Sequence, residues 1–472
     1  VKESKGVSCF EHLEALLANP VLYELGDLIP PTEPEQGGRP RTYPGFAIVL
    51  YGALISVFRS ARRVESELSH PDVWAFVRVR VKARFPTEPS RWLPEAPIRR
   101  HHYTYARNRY LEKPGVWQQI KGAFEERAAV QAVAEMGLCD PDGPGSLTHP
   151  DLSRMLYADG KVVTPLFKAK PGTMKTDRDT GELREARSDP DGHLHITGSG
   201  EPAWGVKFVL AACRTDGVHG RMILGLDWVP KPGQEAAVAM DCVSRLGPRL
   251  PGAHGVLYDG AFRGVHLQRL LRDVGLLPVV PVTAASGGRK AGKPRTERTV
   301  SVGEGTIRRP DGGTESCRLF SRAGSLGLGE LDEAGDIVFA ELRRTKTFRR
   351  QNSDGTWRWY NDYEVPAESG GGTVRVRLDT TDDDRSKKFN RTESLRPIPP
   401  ADPDYRRLYP RRSDVESINR ALDDSMWLGR AHSVGHARQL VDLLGFGLMV
   451  NSLALHRRRG ALEPPGELPA AA

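Results

Sequence analysis

The five cysteines (Cys9, Cys139, Cys213, Cys242, Cys317) are odd in number, and none belongs to a CxxC pair. That excludes a disulfide framework and a zinc ribbon, and it fits a reducing compartment. Long apolar runs are lacking too. The longest, Gly45 to Phe58, covers about 14 residues, short of the ~20 that span a bilayer, so a buried helix is expected there. The opening residues show no basic n-region, apolar h-region and cleavage site. A soluble, cytoplasmic protein with no membrane partner is expected. Charge of one sign is also scarce: 68 Lys+Arg face 60 Asp+Glu, a net +8 spread over 472 residues. With so small an excess only local clustering matters, though it leaves nucleic acid as a plausible partner. The length allows two or three domains with real cores.

Read in order, residues 1–145 are mainly helical and an expected DNA-binding region. Phe10, Leu13, Leu16 and Leu17 mark a short amphipathic helix that Asn19-Pro20 ends. A polar Pro- and Gly-rich linker (Ile29 to Tyr43), the apolar helix and the helical segment Ser60–Leu68 follow. Cations are then interleaved with aromatics: Arg78, Arg80, Lys82 and Arg84, and later Arg99-Arg100-His101-His102-Tyr103 through Arg107, Arg109 and Tyr110. This suits a phosphate backbone, where each neutralised phosphate releases counterions, but a solvated helix face has the same pattern.

After the Pro/Gly break at residues 140–145 the character becomes α/β, over residues 146–286. Met155–Val163 reads as a strand carrying Asp159-Gly160, and residues 169–200 as a hydrophilic loop. Two further strands (203–211 and 220–226) precede a helix from Gln234 to Leu246. The stretch Pro251–Thr283 then reads as strand, acidic turn, helix, strand. Gly255-Val256-Leu257-Tyr258 stops at Asp259-Gly260, and Val265, Leu267, Leu270, Leu271 and Val274 give a helix that Gly275 ends. Pro278 and Pro281 push the last strand toward a sheet edge. Three strands before the first helix, then alternation, is the order of the ribonuclease-H-like fold rather than of a doubly wound nucleotide fold. Residues 287–400 form a β-rich insertion with Arg343, Arg344, Lys346, Arg349 and Arg350 near Trp357 and Trp359, a second candidate DNA surface. Residues 401–456 return to helix, and 457–472 are a basic start with a frayed tail.

Two-metal phosphoryl transfer needs carboxylates that converge on ions about 3.5–4 Å apart. Asp159 and Asp259 occupy strand positions that neighbour each other in a ribonuclease-H-like sheet. Glu416 is the candidate third acid, four residues after Arg412 and on the face of Tyr409 if the helix reaches back that far. Each has a plain alternative: Asp-Gly builds tight turns, and Ser413-x-x-Glu416 is a capping box.

Tyr409-x2-Arg412-x3-Glu416 resembles the start of the Tyr-Arg-Glu-Lys signature of DDE transposases from bacterial insertion sequences. LYADGKVVTPLF, GRMILGLDWVP and VLYDGAFRG look like the surroundings of that family's first two acids. GRPRTYP, the apolar helix and SARRVESEL are similar to its helical N-terminal region, so the likeness runs over roughly residues 8–456. The resemblance implies a ribonuclease-H-like core with a β-rich insertion between the second Asp and the Glu. It implies Asp159, Asp259 and Glu416 as catalytic, metal-binding residues for two Mg²⁺ ions, with Mn²⁺ as a substitute. Tyr409 and Arg412 would contact phosphates. The expected partner is double-stranded DNA, both the element's terminal inverted repeats and the target, bound by a homodimer. The pattern departs at its fourth position, where Asp423 stands for the family's Lys. Either Arg420 or Arg430 substitutes as the phosphate-binding cation, or DNA-end binding is weakened.

Two other readings stay open: a catalytically impaired transposase that only binds DNA, and a general ribonuclease-H-like nuclease. Gly287-x4-Gly292-Lys293 imitates a phosphate loop, but Pro294 replaces its hydroxyl residue. His432 and His436 lack the Glu of a His-Glu-x-x-His site, and His193 and His195 lack further ligands.

Overall fold

The first two helices open where the sequence supplies a cap. Ser8 accepts from the Glu11 N–H to start Cys9–Ala18; Asn19 accepts from the Val21 N–H, and Pro20 occupies the first turn of Pro20–Asp27. The computed structural model describes residues 7–31, 41–196, 200–217, 220–282, 296–331 and 337–462. The phosphate-loop imitation at 287–293, most of the linker at 29–43 and the tail beyond 462 therefore lie outside the described residues. The chain is mixed α/β with several sheets. It divides into two compact units, 1–137 with 160–238 and 417–472, and 138–159 with 239–416.

Among the described residues, eight strands precede the insertion: β1 (Met155–Val163), β2 (Met174–Thr176), β3 (Leu183–Glu185), β4 (His193–Ile196), β5 (Pro202–Arg214), β6 (Arg221–Val229), β7 (Gly255–Leu257) and β8 (Leu277–Val279). A mixed sheet follows the order β4-β5-β1-β7-β8, with β6 also on β5. Strands β4 and β6 run antiparallel to β5, whereas β7 runs parallel to both β1 and β8. Pro278 sits in β8, at the end of that order, where a missing N–H costs least.

In the first unit, Gly45–Phe58 is the buried helix its composition demands, and it packs on the long helix His436–Leu462. The two backbones meet at glycines: a Cβ on Gly445 would lie 2.9 Å from the Gly52 carbonyl oxygen. The long helix is apolar enough by length and composition to cross a membrane, yet 72% of its apolar window is buried inside the protein. Its Asn451 serves the sheet. The β5–β6 register slips between Ala211 and Ala212, and the Asn451 amide accepts from the Ile223 N–H (2.7 Å) and donates to the Ile223 carbonyl (2.8 Å). Residues 169–200 depart from the expected loop. They form the β2–β3 hairpin and β4, and buried Asp189 accepts from the Gly435 N–H and the Gln439 amide. A hydrophilic segment packs here because its carboxylate is fully hydrogen-bonded.

In the second unit the expected insertion is an antiparallel sheet: β9 (Val300–Arg308), β10 (Thr314–Arg322), β11 (Ser325–Leu331), β12 (Ile337–Glu341), β13 (Arg343–Gln351), β14 (Trp357–Glu364) and β15 (Thr373–Arg377), ordered β12-β11-β10-β9-β15-β14-β13. The expected DNA surface on it needs correction. Trp359 is wholly buried, donating from its indole N–H to the Leu271 carbonyl at 2.7 Å. Arg349 turns in to the Gly275 carbonyl, and Arg344 is buried among Asp402, Asp404 and Thr148. Lys346 and Arg350 remain beside Phe348 on the edge strand β13.

Replacing Asn451 with Leu strands two buried backbone groups, each costing about 1–3 kcal/mol. Urea denaturation should show a loss of roughly 2–4 kcal/mol; an unchanged midpoint would mean that the bulge finds other partners.

Candidate active site

The parallel pairing of β1 with β7 sets Met155 against Gly255, Leu156 against Val256 and Tyr157 against Leu257. Asp159 follows two residues later within β1, and Asp259 two residues beyond the end of β7. Both carboxylates are partly buried. Asp259 also does what an Asp-Gly turn requires, its Oδ1 accepting from the Ala261 N–H at 2.8 Å. Turn formation and a place in a carboxylate cluster therefore coexist. After Asp159 the chain needs glycine for a different reason: a Cβ on Gly160 would collide with the Glu235 carboxylate, which pairs with Lys207.

The third acid arrives on a continuous helical run, Pro403–Leu408, a tight turn at Tyr409–Arg412, then Ser413–Ser425. Ser413 has helical dihedrals (φ −58°, ψ −14°) and its hydroxyl donates to the Pro410 carbonyl at 2.9 Å. It is no cap, so Glu416 has no capping box to complete. Its carboxylate instead accepts from Arg412 Nη2 at 3.1 Å, while Arg412 Nη1 lies 3.8 Å from Asp159. One guanidinium thus stands between the first and third acids. Burial pushes the Tyr409 phenol up; the Arg412 charge opposes that, and the Asp259 and Glu416 carboxylates add to it. Tyr409 stays a neutral O–H donor beside the acids. The three carboxylates do not all approach within 4.8 Å of one another, and Arg412 lies within 4 Å of two of them.

Helix Pro403–Leu408 is itself anchored from the insertion. Arg344 makes a two-pronged contact with Asp402 (2.7 and 3.0 Å) and reaches Asp404 at 2.8 Å. Burial pushes the Asp404 carboxyl up, and hydrogen bonds from His149, Arg407 and Arg344 more than reverse this, leaving it below the ordinary carboxylate range.

Asp423, at the family's Lys position, is paired with Lys161 at 2.5 Å in the first unit. Lys161 follows Asp159 by two residues in β1; sequence reading passed over it because nothing local marks a partner 262 residues away. Arg420 is exposed. Of the basic stretch at 78–84, Arg80 pairs with Glu14, Arg84 stacks on Tyr23 and Lys82 on Trp92, while all three remain exposed. Among the described residues, His193, His195, His432 and His436 share no common ligand point with three or more groups. His436 bonds Asp191 and stacks on Trp228, His432 faces the Ser425 carbonyl, and the His193 and His195 rings are 6.5 Å apart.

No family model matches the chain, and no curated protein matches it.

Arg344→Met leaves Asp402 without its cation and Asp404 with Arg407 as its remaining arginine, and a loss of about 3–5 kcal/mol is expected at pH 7. Asp404 lies lower in the folded than in the unfolded chain. Its stabilising contribution is therefore complete above about pH 4 and drains away as pH falls through the depressed value. Chemical denaturation at pH 7 and pH 3 should show the variant's deficit shrinking in acid; a deficit constant with pH would assign it to packing alone.

Proposed function

We propose that this protein is a DDE-type DNA transposase, cutting and rejoining DNA at the ends of a mobile element through a ribonuclease-H-like core. The parallel pairing of β1 with β7 carries the reading, because β1 bears Asp159 and β7 leads at its C-terminal end to Asp259, the end where open α/β sheets hold their chemistry. The sheet supports it as well. Taking β1, β5, β6, β7 and β8 as the first to fifth strands, the second and third are linked antiparallel and the last two are added in parallel beside the first.

Asp159, Asp259 and Glu416 would hold Mg²⁺. The donor set fits, being all hard carboxylate oxygens, and the Arg412 guanidinium already sits within 4 Å of two of them. When bound, the ions supply an activated oxygen nucleophile and charge stabilisation of the leaving oxygen. Tyr409 offers a neutral hydrogen-bond donor, and Arg412 a planar cation suited to a phosphate. Attack is in line on the scissile phosphodiester: the bond to the new oxygen forms as that to the departing 3′-oxygen breaks, and the freed 3′-OH is the nucleophile for joining. The impaired-enzyme alternative leaned on Asp423 repelling phosphate, and the Lys161 pair neutralises that carboxylate.

The test is a supercoiled plasmid carrying the DNA that flanks this protein's coding sequence, incubated with and without Mg²⁺. Wild-type protein should nick it at the element ends. Asp159→Asn and Asp259→Asn should each slow cleavage by about 10³-fold or more while DNA binding persists. Undiminished cleavage by either variant would refute the assignment, and equal cutting of plasmid without flanks would make the protein a general nuclease.

A further inference from the structure

The first unit carries a basic groove. It is about 480 Å³ in volume and is lined by Arg59, Arg62, Arg63, Arg430, Trp427 and Leu428, among others. A fifth arginine in it, Arg107, is committed to Glu112 at 3.6 Å. Among the described residues the other four have no carboxylate partner, and no acidic side chain lines the groove. Four guanidiniums converging without counter-charge repel one another, so the arrangement favours an anion with several charges.

Apolar surface is offered beside them. Trp427 is 48% exposed and Leu428 77% exposed, next to each other on a short turn. Arg63 lies over the Trp427 ring at 4.7 Å from its centroid. Leu428 has left-handed backbone (φ 55°, ψ 31°), and so does Arg59 (φ 61°, ψ 8°). Such dihedrals are strained for residues with a Cβ and cluster at functional sites. Here they hold a leucine out into water and an arginine at the groove wall, where burial explains neither.

We infer that this groove binds an unpaired stretch of DNA, with phosphates on Arg59, Arg62, Arg63 and Arg430 and a base stacked on Trp427. Cations along a backbone path plus an exposed aromatic face are what single strands require. Bases within a duplex are already stacked and present no free face, so Trp427 and Leu428 gain contact only where a strand is open or wedged apart. A membrane surface is a poorer fit, because the apolar pair lines a concave groove instead of crowning a protrusion. The inference rests on the transposase reading only for the identity of the nucleic acid as DNA.

Fluorescence anisotropy of the full chain with a labelled oligo-dT strand and with a labelled duplex tests it. Trp427→Ala should weaken oligo-dT binding by about five- to 150-fold and Trp427→Phe should restore most of it, with duplex affinity little changed. The double variant R62Q/R63Q should lower the salt dependence of oligo-dT binding by about 1.4 in log–log slope. Thermal unfolding of each variant guards against misfolding, which these exposed positions should not provoke. Unchanged oligo-dT affinity in Trp427→Ala overturns the inference, as does a preference for anionic phosphatidylserine vesicles that depends on Trp427. Trp427-independent binding with intact Mg²⁺ cleavage defeats the groove alone. Trp427-dependent binding without any cleavage defeats the transposase reading alone.

Discussion

The pairing of β1 with β7 is the constraint on which the candidate site depends. Strand register has a period of two, so a slip of one residue would turn Asp159 to the other face of the sheet. The register is pinned by packing on both sides. Gly255 stands against Met155, and a Cβ there would run into the Leu277 carbonyl on one side and the Met155 side chain on the other. Met155, Leu257 and Leu277 belong to one buried cluster with Trp359 and Leu408. The same core that fixes the strands therefore reaches the insertion and the helix that leads to Glu416.

Acids brought together must be neutralised, and the second unit does so twice with arginine. Arg344 is a structural cation: buried, forked onto Asp402 and Asp404, and fixed further by the Thr148 carbonyl. Arg412 is only partly buried and touches Asp159 loosely at 3.8 Å. Buried forked pairs resist exchange, whereas half-exposed contacts are weak and replaceable. The distinction suits one arginine to holding the helix and the other to meeting a phosphate.

What could be read from sequence was local. The segment 255–275 was legible because its apolar spacing, the Asp-Gly turn and a left-handed Gly275 each act within a few residues. The capping box at Ser413 was a wrong option for a local reason too: the turn Tyr409–Arg412 continues the preceding helix, so no fresh N-terminus exists to cap. Charge roles were not legible. Arg344 and Arg349 look like surface cations in a run of basic residues, and only long-range partners at 402, 404 and 275 draw them inward. The open arginines at 59–63 and 430 come from opposite ends of the chain, and no window contains both.

The Asp423–Lys161 pair shows how a motif can depart from its pattern while the local charge stays balanced. Read alone, a carboxylate at the family's Lys position adds one negative charge where a phosphate would bind, and the net change from Lys to Asp is two units. Paired at 2.5 Å with Lys161, the carboxylate contributes a dipole, and the field of a dipole decays faster than that of a charge. The cation has moved from helix to strand, onto a short and well-packed element with Lys161 only 18% exposed. A lysine so held has fewer rotamers to lose, but it must break an ion pair before it can grip anything else.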